Sequence, residues 1–192
     1  MSTVWFITHS DVQIDANVPV PRWPLSERGR VRMRMFLAKD WVAGLAAIWS
    51  STEQKAIDGA TILAEGRGIP RHELEELGEN DRSATGYLAR TEFEATADQF
   101  FARPHESVRG WERAVDAQAR IVQAVDQVIR LHGTTSDVAI VAHGGVGTLL
   151  LCHLKGCPIQ RSEDQPPNNG GNYFSFDAQG RTLHHGWRAV DA

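Results

Sequence analysis

Two short apolar segments, each leading into a histidine, constrain this chain more than any other feature. The segment Thr3–Thr8 (TVWFIT) leads into His9 and Ser10, and the segment Asp137–Ala142 (DVAIVA) leads into His143 and a glycine. Runs of four to eight apolar and β-branched residues are typical of buried strands. Both segments therefore predict a strand whose carboxyl end presents an imidazole.

Strand-like and helix-like patterns alternate along the rest of the chain. Further strands are predicted over residues 45–49, 72–77, 172–177 and 182–187, and helices over residues 27–39, 53–65, 91–101, 107–131 and 146–154. This alternation favours an α/β fold, a three-layer αβα sandwich in which helices cover both faces of a mostly parallel central sheet. The length of 192 residues suits one domain that spans residues 1–192.

Polar residues follow four of these strands at the point where each strand ends. They are His9, residues 50–55, Glu79 and His143. Ligands of parallel sheets bind outside the carboxyl ends of the strands. We therefore expect these four groups to gather at one edge of the sheet.

The two histidines suit phosphoryl transfer. A neutral imidazole can attack phosphorus to form a phosphohistidine, which divides the transfer into two steps, and a second imidazole can stabilise charge on the transferred oxygens. Ser10 and Gly144, the residues that follow His9 and His143, are small. Small residues let backbone N–H groups approach an anion, so both residues are candidates for binding phosphate.

Five motifs, in this order, resemble those of the histidine phosphatase superfamily, which is phosphoglycerate-mutase-like, over nearly the whole chain. That family has Arg-His-Gly, Pro-Leu-Thr/Ser-x-x-Gly, Ser-Ser followed by Arg-Ala, Leu-x-Glu and His-Gly-Gly. This chain has residues 8–10 (THS), 24–29 (PLSERG), 50–56 (SSTEQKA), 77–79 (LGE) and 143–145 (HGG). The order and spacing of the motifs carry the resemblance, because each one alone is short.

The resemblance implies a phosphatase that hydrolyses a small phosphomonoester. His9 would be phosphorylated, His143 would assist, and Glu79 would be the general acid, with Glu75 and Glu76 as rival carboxylates. It implies no cofactor and no metal. A mutase is disfavoured, because mutases of the family tend to be longer. A transferase or a protein-phosphohistidine phosphatase of the same fold stays open.

The chain departs from the family at the two arginines that hold the phosphoryl group. Thr8 and Lys55 stand at those positions. Arginine offers a planar fork to two phosphate oxygens, whereas lysine is a point charge and threonine has no charge. Lys55, Arg82 and Arg22 are the candidate cations for phosphate. The alternative function is a catalytically weak or inactive module that binds a phosphorylated or anionic ligand or a protein partner.

Composition excludes several other classes of function. The net charge is −4, without a basic surface for nucleic acid. No segment approaches the roughly 20 apolar residues of a membrane span, and the first residues lack a signal peptide. With two cysteines, a zinc site of four cysteines is excluded. We expect a cytoplasmic protein whose partner is a small phosphorylated metabolite or another anion; its oligomeric state stays open.

Overall fold

In the computed structural model, which describes residues 2–133 and 135–192, six strands form one sheet. They are β1 (Thr3–Thr8), β2 (Leu45–Ser50), β3 (Arg71–Glu73), β4 (Asp137–Ala142), β5 (Asn172–Asp177) and β6 (Leu183–Ala189). The order across the sheet is β3-β2-β4-β1-β5-β6. The first four of these strands are parallel to one another, and β5 and β6 are antiparallel to their neighbours. The expectation of a mostly parallel sheet is confirmed.

The described part of the chain has five α-helices, and four of them cover the sheet. The five helices are α1 (Glu27–Met35), α2 (Gln54–Arg67), α3 (Arg90–Ala102), α4 (Ala114–His132) and α5 (Gly144–Lys155). Buried side chains of α1 and α2 pack on one face, and those of α4 and α5 pack on the other. The expected αβα arrangement is therefore confirmed. No helix of residues 2–133 or 135–192 is long and apolar enough to cross a membrane.

Alternating side chains of the central strands fill two separate cores. In β1, Val4 and Phe6 belong to the core under α4 and α5, and Ile7 belongs to the core under α1 and α2. In β4, Ile140 belongs to the core under α4 and α5, and Val141 belongs to the core under α1 and α2. Each such side chain contributes roughly 1.5–3 kcal/mol relative to its exposed state. Burial on both faces explains why these segments are continuously apolar.

Several predicted elements have different bounds in the structure; for example, the helix predicted over residues 27–39 ends at Met35. The helix predicted over residues 107–131 begins at Ala114, because Arg109 and Gly110 have φ angles of 53° and 82°. Such angles lie outside the right-handed helical region. The strand predicted over residues 72–77 ends at Glu73, and a 3-10 turn that buries Leu77 follows it.

The register between β1 and β4 positions the two histidines. Thr8 lies opposite Ala142 in this parallel pair, and the His9 N–H donates to the Ala142 carbonyl over 3.0 Å. His9 and His143, the next residues of each strand, therefore leave the sheet side by side. β2 ends at the same edge, where Ser51 donates its N–H to the carbonyl of Val141. The expectation that polar groups gather at this edge is confirmed.

Candidate active site

The rings of His9 and His143 lie next to each other at the carboxyl edge of the sheet. Their centroids are 5.1 Å apart and their planes are inclined by 65°. This geometry follows from the β1–β4 register and needs no long or flexible side chain. The structure thus brings together the two imidazoles that the sequence predicts.

His9 is held with one ring nitrogen engaged and the other available. Its Nδ1 lies 2.9 Å from the carbonyl oxygen of Ser10, which can only accept, so Nδ1 carries the hydrogen. Burial, together with the nearby His143 and Lys55, lowers the pKa of His9 to about 3, although the Ser10 carbonyl and Glu53 oppose the shift. The ring is therefore neutral near pH 7, and Nε2 keeps the lone pair that a nucleophile needs.

His143 lies deeper than His9 and is fully buried. Its Nε2 lies 2.7 Å from Ser51 Oγ and 3.4 Å from Glu53 Oε1. Its Nδ1 has no hydrogen-bond partner among the described residues. Burial lowers the pKa of His143, although the nearby carboxylates of Glu53 and Glu79 oppose the shift.

Glu79 lies at the N-terminus of α5. Its carboxylate accepts the N–H groups of Gly145 and Val146 over 3.0 Å each. Gly145 permits this approach, because a Cβ there would lie 2.6 Å from Glu79 Oε1. Burial raises the pKa of Glu79, but Arg82, His143 and the Gly145 N–H together outweigh burial and hold the pKa below its usual value. Glu79 is therefore ionised in the free protein.

Each of the two cations near the histidines already has a carboxylate partner. Lys55 Nζ lies 2.5 Å from Glu53 Oε2, and it donates to the Val20 carbonyl over 3.0 Å. Arg82 Nη2 lies 3.1 Å from Glu79 Oε2. Glu53 and Lys55 are at the start of α2, and Glu79 and Arg82 are in the loop that leads to α3.

Two aromatic rings and one amide oxygen hold the guanidinium of Arg82 in place. It lies over the rings of Phe93 and Trp111, 4.9 Å and 5.1 Å from their centroids, and its Nε donates to Asn80 Oδ1 over 3.0 Å. Cation–π contact and a fixed hydrogen bond reduce the freedom of a long side chain. Arg82 is therefore oriented toward Glu79 before any ligand binds.

The hydroxyl of Ser10 already has a hydrogen-bond partner in the buried part of the chain. Ser10 Oγ accepts from Arg32 Nη1 over 3.2 Å, and Arg32 also pairs with Asp191 and donates to the carbonyl of Gly170. Arg32 is buried, so this network supports the segment that carries His9. The side chain of Ser10 thus contributes to positioning, while its carbonyl fixes the His9 ring.

Arg22 and Gly144, the remaining predicted phosphate ligands, differ in position. Arg22 is exposed at the end of a 3-10 turn and makes no ion pair within the described residues. Gly144 is the first residue of α5, directly after His143, and a Cβ there would lie 2.2 Å from Gln165 Nε2. Gly144 therefore borders the site, whereas the side chain of Arg22 makes no hydrogen bond or ion pair to the described side chains of the site.

Three polar side chains near the site were not predicted as site residues: Ser51, Glu53 and Gln165. Glu53 and Ser51 follow β2 inside the motif of residues 50–56, so their position after a strand was a usable signal. Gln165 lies in a loop without regular structure, and the residues next to it in the sequence form no motif that indicates a functional site. Only the tertiary structure brings it to Gly144.

Thr8, at the position where the resemblance expects arginine, belongs to a network of hydroxyl and amide groups. Thr8 Oγ1 and Asn172 Nδ2 both donate to Gln165 Oε1 over 2.8 Å. The Asn172 N–H donates to Thr8 Oγ1 over 3.1 Å. The amide nitrogen of Gln165 makes no hydrogen bond to the described residues, so it is a free donor beside Gly144.

A neutral imidazole that faces a second imidazole, with two carboxylates, two cations and amide donors around them, suits a small tetrahedral oxyanion. Within residues 2–133 and 135–192, no group of three or more histidine, cysteine, aspartate or glutamate side chains is placed to hold a metal ion. The donors that surround the histidines are instead N–H groups and cations, which favour an anionic ligand.

Comparison with known proteins agrees with this geometry. The family model of the histidine phosphatase superfamily (branch 1) matches residues 8–186, a range that contains both histidines and Glu79. No curated protein matches the chain.

Several solved structures share the fold over nearly their whole length. YhfR of Bacillus stearothermophilus is 28% identical with a TM-score of 0.79, and the alignment covers 96% of this chain and 95% of that one. Mycobacterial glucosyl-3-phosphoglycerate phosphatase is 20% identical with a TM-score of 0.73, covering 97% and 96% of the two chains. The alpha-ribazole phosphatase of Shigella flexneri is 17% identical with a TM-score of 0.67, covering 99% and 96%.

The mycobacterial phosphatase has been solved in complex with inorganic phosphate and with VO3. At these identities the two phosphatases show a shared fold alone. The family model carries the assignment, because it spans nearly the whole chain. This chain belongs to the histidine phosphatase superfamily, branch 1.

Proposed function

We propose that this protein is a phosphatase that hydrolyses a small phosphomonoester through a phosphohistidine on His9. The observation that carries the proposal is the convergence of His9 and His143, with ring centroids 5.1 Å apart and Nε2 of a neutral His9 available. Membership of the histidine phosphatase superfamily supports the same reaction class.

In the first step, the Nε2 lone pair of His9 forms a bond to phosphorus and the ester P–O bond breaks. The leaving oxygen takes a proton from Glu79, which gives a free alcohol. His143 and Arg82 stabilise the charge on the phosphoryl oxygens, as preorganised donors do in electrostatic catalysis. The proposed chemistry uses the chain's own residues, with no metal or cofactor.

Glu79 must acquire its proton when substrate binds, because the carboxyl is ionised in the free protein. A phosphoryl group brings negative charge next to Glu79, and it offers Arg82 a second anionic partner. Both changes raise the pKa of the carboxyl, since a nearby like charge disfavours ionisation. Substrate binding would thereby prepare the general acid.

In the second step, water replaces the alcohol. Glu79, now a carboxylate, accepts a proton from the water as the water oxygen bonds to phosphorus. The P–N bond then breaks and returns its electron pair to Nε2, which leaves neutral His9 and inorganic phosphate. The same carboxyl thus serves as acid and then as base.

The phosphoryl oxygens would be bound by donors of different kinds. Lys55 and Arg82 supply charge, Gln165 supplies its free amide nitrogen, and Gly144 supplies the first N–H of α5. Helix N-termini favour anions because their first N–H groups lack partners within the helix. These donors would stand in for the arginine fork that Thr8 cannot provide.

The test is phosphate release from p-nitrophenyl phosphate and a panel of metabolite phosphates. We expect His9→Ala to lower turnover by about four orders of magnitude or more, as loss of a nucleophile does. We also expect an acid-labile phosphoryl group on the wild-type protein after rapid quenching, and none on the variant. His184→Ala is the matched control, because His184 is exposed on β6. Turnover that survives in His9→Ala would rule out the phosphohistidine mechanism.

A binding module without turnover is the second candidate function, and the free-state geometry favours it in one respect. His143 is fully buried, and Lys55 is already paired with Glu53. A site in this state would hold a phosphorylated ligand without driving the transfer. Binding of inorganic phosphate measured by calorimetry, with no phosphate release from any substrate of the panel, would support the module.

A further inference from the structure

We propose that Glu53 is a specificity-determining residue, which selects phosphomonoesters that carry an ammonium group close to the phosphoryl group over plain dianionic ones. It does so by cancelling the positive charge of Lys55. This inference rests on the proposed phosphatase function, and it names the class of substrate that the site would take.

Glu53 lies inside the site. Its Oε2 lies 2.5 Å from Lys55 Nζ, and its Oε1 accepts the Glu79 N–H over 2.9 Å and lies 3.4 Å from His143 Nε2. The side chain is only 14% exposed. Charges that are buried to this degree are screened little by salt, so the carboxylate acts on any ligand that reaches the histidines.

The charged groups of the site sum to zero. Lys55 and Arg82 contribute two positive charges, Glu53 and Glu79 contribute two negative charges, and the buried imidazoles are neutral. A phosphomonoester carries a charge of about −1.5 to −2 at pH 7. Such an anion finds no net positive charge, and it has to compete with a carboxylate for each cation. Plain phosphomonoesters are therefore disfavoured by the arrangement.

In the proposed mechanism, the two carboxylates would lie on the side of the leaving group. Glu53 Oε1 holds the backbone N–H of Glu79, and Glu79 is the proposed acid for the leaving oxygen. An ammonium two carbons from that oxygen would face both carboxylates. It would also lower the net charge of the substrate by one unit. The same negative groups that repel a dianion would thus attract this leaving group.

The kinetic test compares 2-aminoethyl phosphate with ethyl phosphate, which differ by the ammonium. For the wild type we expect kcat/KM to favour 2-aminoethyl phosphate at least tenfold. Glu53→Gln keeps an acceptor for the Glu79 N–H but removes the charge. We expect it to raise kcat/KM for ethyl phosphate at least tenfold and to bring the ratio close to one. Glu65→Gln, at an exposed position on α2, the helix that Glu53 precedes, should leave both values unchanged.

Calorimetry with inorganic phosphate tests Glu53 without turnover. We expect Glu53→Gln to bind inorganic phosphate at least tenfold more tightly than the wild type. Tighter binding with no phosphate release from any substrate would uphold the role of Glu53 and reject the phosphatase function. Equal affinities would overturn the inference. Should the variant not fold, a wild-type preference ratio of one or below would overturn it as well.

Discussion

The imidazole side of the site, His9 and His143, and its cation side, Lys55 and Arg82, are built in different ways. The imidazoles are positioned by the backbone, since each directly follows a strand and the two strands are paired in register. The cations are at the ends of long side chains, and each is paired with a carboxylate. The sheet therefore sets the position of the imidazoles, whereas side-chain contacts set the position of the cations.

This difference assigns different tasks to the two sides. A nucleophile must be held within a few tenths of an ångström of a productive geometry, which a strand end can provide. Cations that are paired in the free state can exchange partners when an anion binds. We therefore expect changes on the imidazole side to affect the chemical step alone, and changes on the cation side to affect the choice and binding of substrate as well as the charge on the phosphoryl oxygens.

The largest effect on the chemical step, after loss of the nucleophile, is expected for Glu79→Gln. The amide keeps the shape of the side chain but cannot carry the transferred proton. We expect kcat for an alkyl phosphate to fall by about 10²–10⁴-fold, and kcat for p-nitrophenyl phosphate to fall less, because nitrophenolate leaves without a proton. Glu76→Gln, at an exposed position outside the site, is the control and should change kcat little. An equal loss with both substrates would contradict the role as an acid.

On the cation side, Arg82→Ala is expected to have the next largest effect. The substitution removes a guanidinium that lies 3.1 Å from Glu79 and that two neighbouring aromatic rings hold in place. We expect kcat/KM to fall by about 10²–10³-fold, as it does when one preorganised donor is lost. The measurement is steady-state kinetics, with Arg188→Ala on β6 as the control. A fall in kcat/KM of less than threefold would show that Arg82 does not act on the phosphoryl group.

Local sequence patterns were sufficient to predict the imidazole side. A buried strand, its polar end and the following small residue are neighbours along the chain, so His9 and His143 could be placed at one edge of a parallel sheet. The placement of these histidines depends on hydrophobic periodicity, which a sequence shows directly. Glu79 was found in another way, through the resemblance of the LGE motif of residues 77–79 to the Leu-x-Glu of the family.

The cation side could not be predicted in the same way. Thr8 and Gln165 share a hydrogen bond although they are 157 positions apart, and no local pattern links them. The pairing of Lys55 with Glu53 depends on the rotamers of two buried side chains two residues apart. The late start of α4 depends on the φ angle of Arg109, which residue types do not specify.

Gly144→Ala tests whether the amide of Gln165 belongs to the cation side. A Cβ at Gly144 would lie 2.2 Å from Gln165 Nε2, so the amide must move away. We expect a rise of about tenfold in KM with a smaller change in kcat, since one hydrogen bond to a charged group contributes roughly 1.5 kcal/mol or more. Gly44→Ala is the control, because a Cβ there meets nothing within 4 Å. An unchanged KM would show that Gln165 does not bind the substrate.

The smallest expected effect is a dependence of stability on pH. Between pH 7 and pH 5 the imidazole side should cause such a dependence, and the cation side should not. The pKa of His9 is about 3 in the folded chain and 6.5 in its ordinary state. Between these values the unfolded chain binds a proton that the folded chain does not bind, so stability falls as the pH falls. For His9 alone we expect a loss of about 2 kcal/mol between pH 7 and pH 5.

Urea unfolding of the wild type and of His9→Gln at pH 7, 6 and 5 measures this loss. The window lies above the ordinary pKa of glutamate, 4.5, so the low pKa of Glu79 contributes little there. Other buried histidines, such as His143, change the stability of both proteins alike. The difference between the two curves therefore gives the contribution of His9. We expect the variant to lose less stability than the wild type on acidification. Parallel curves would mean that His9 is as easily protonated in the folded chain as in the unfolded one, and the imidazole side would then lack the neutral nucleophile that distinguishes it from the cation side.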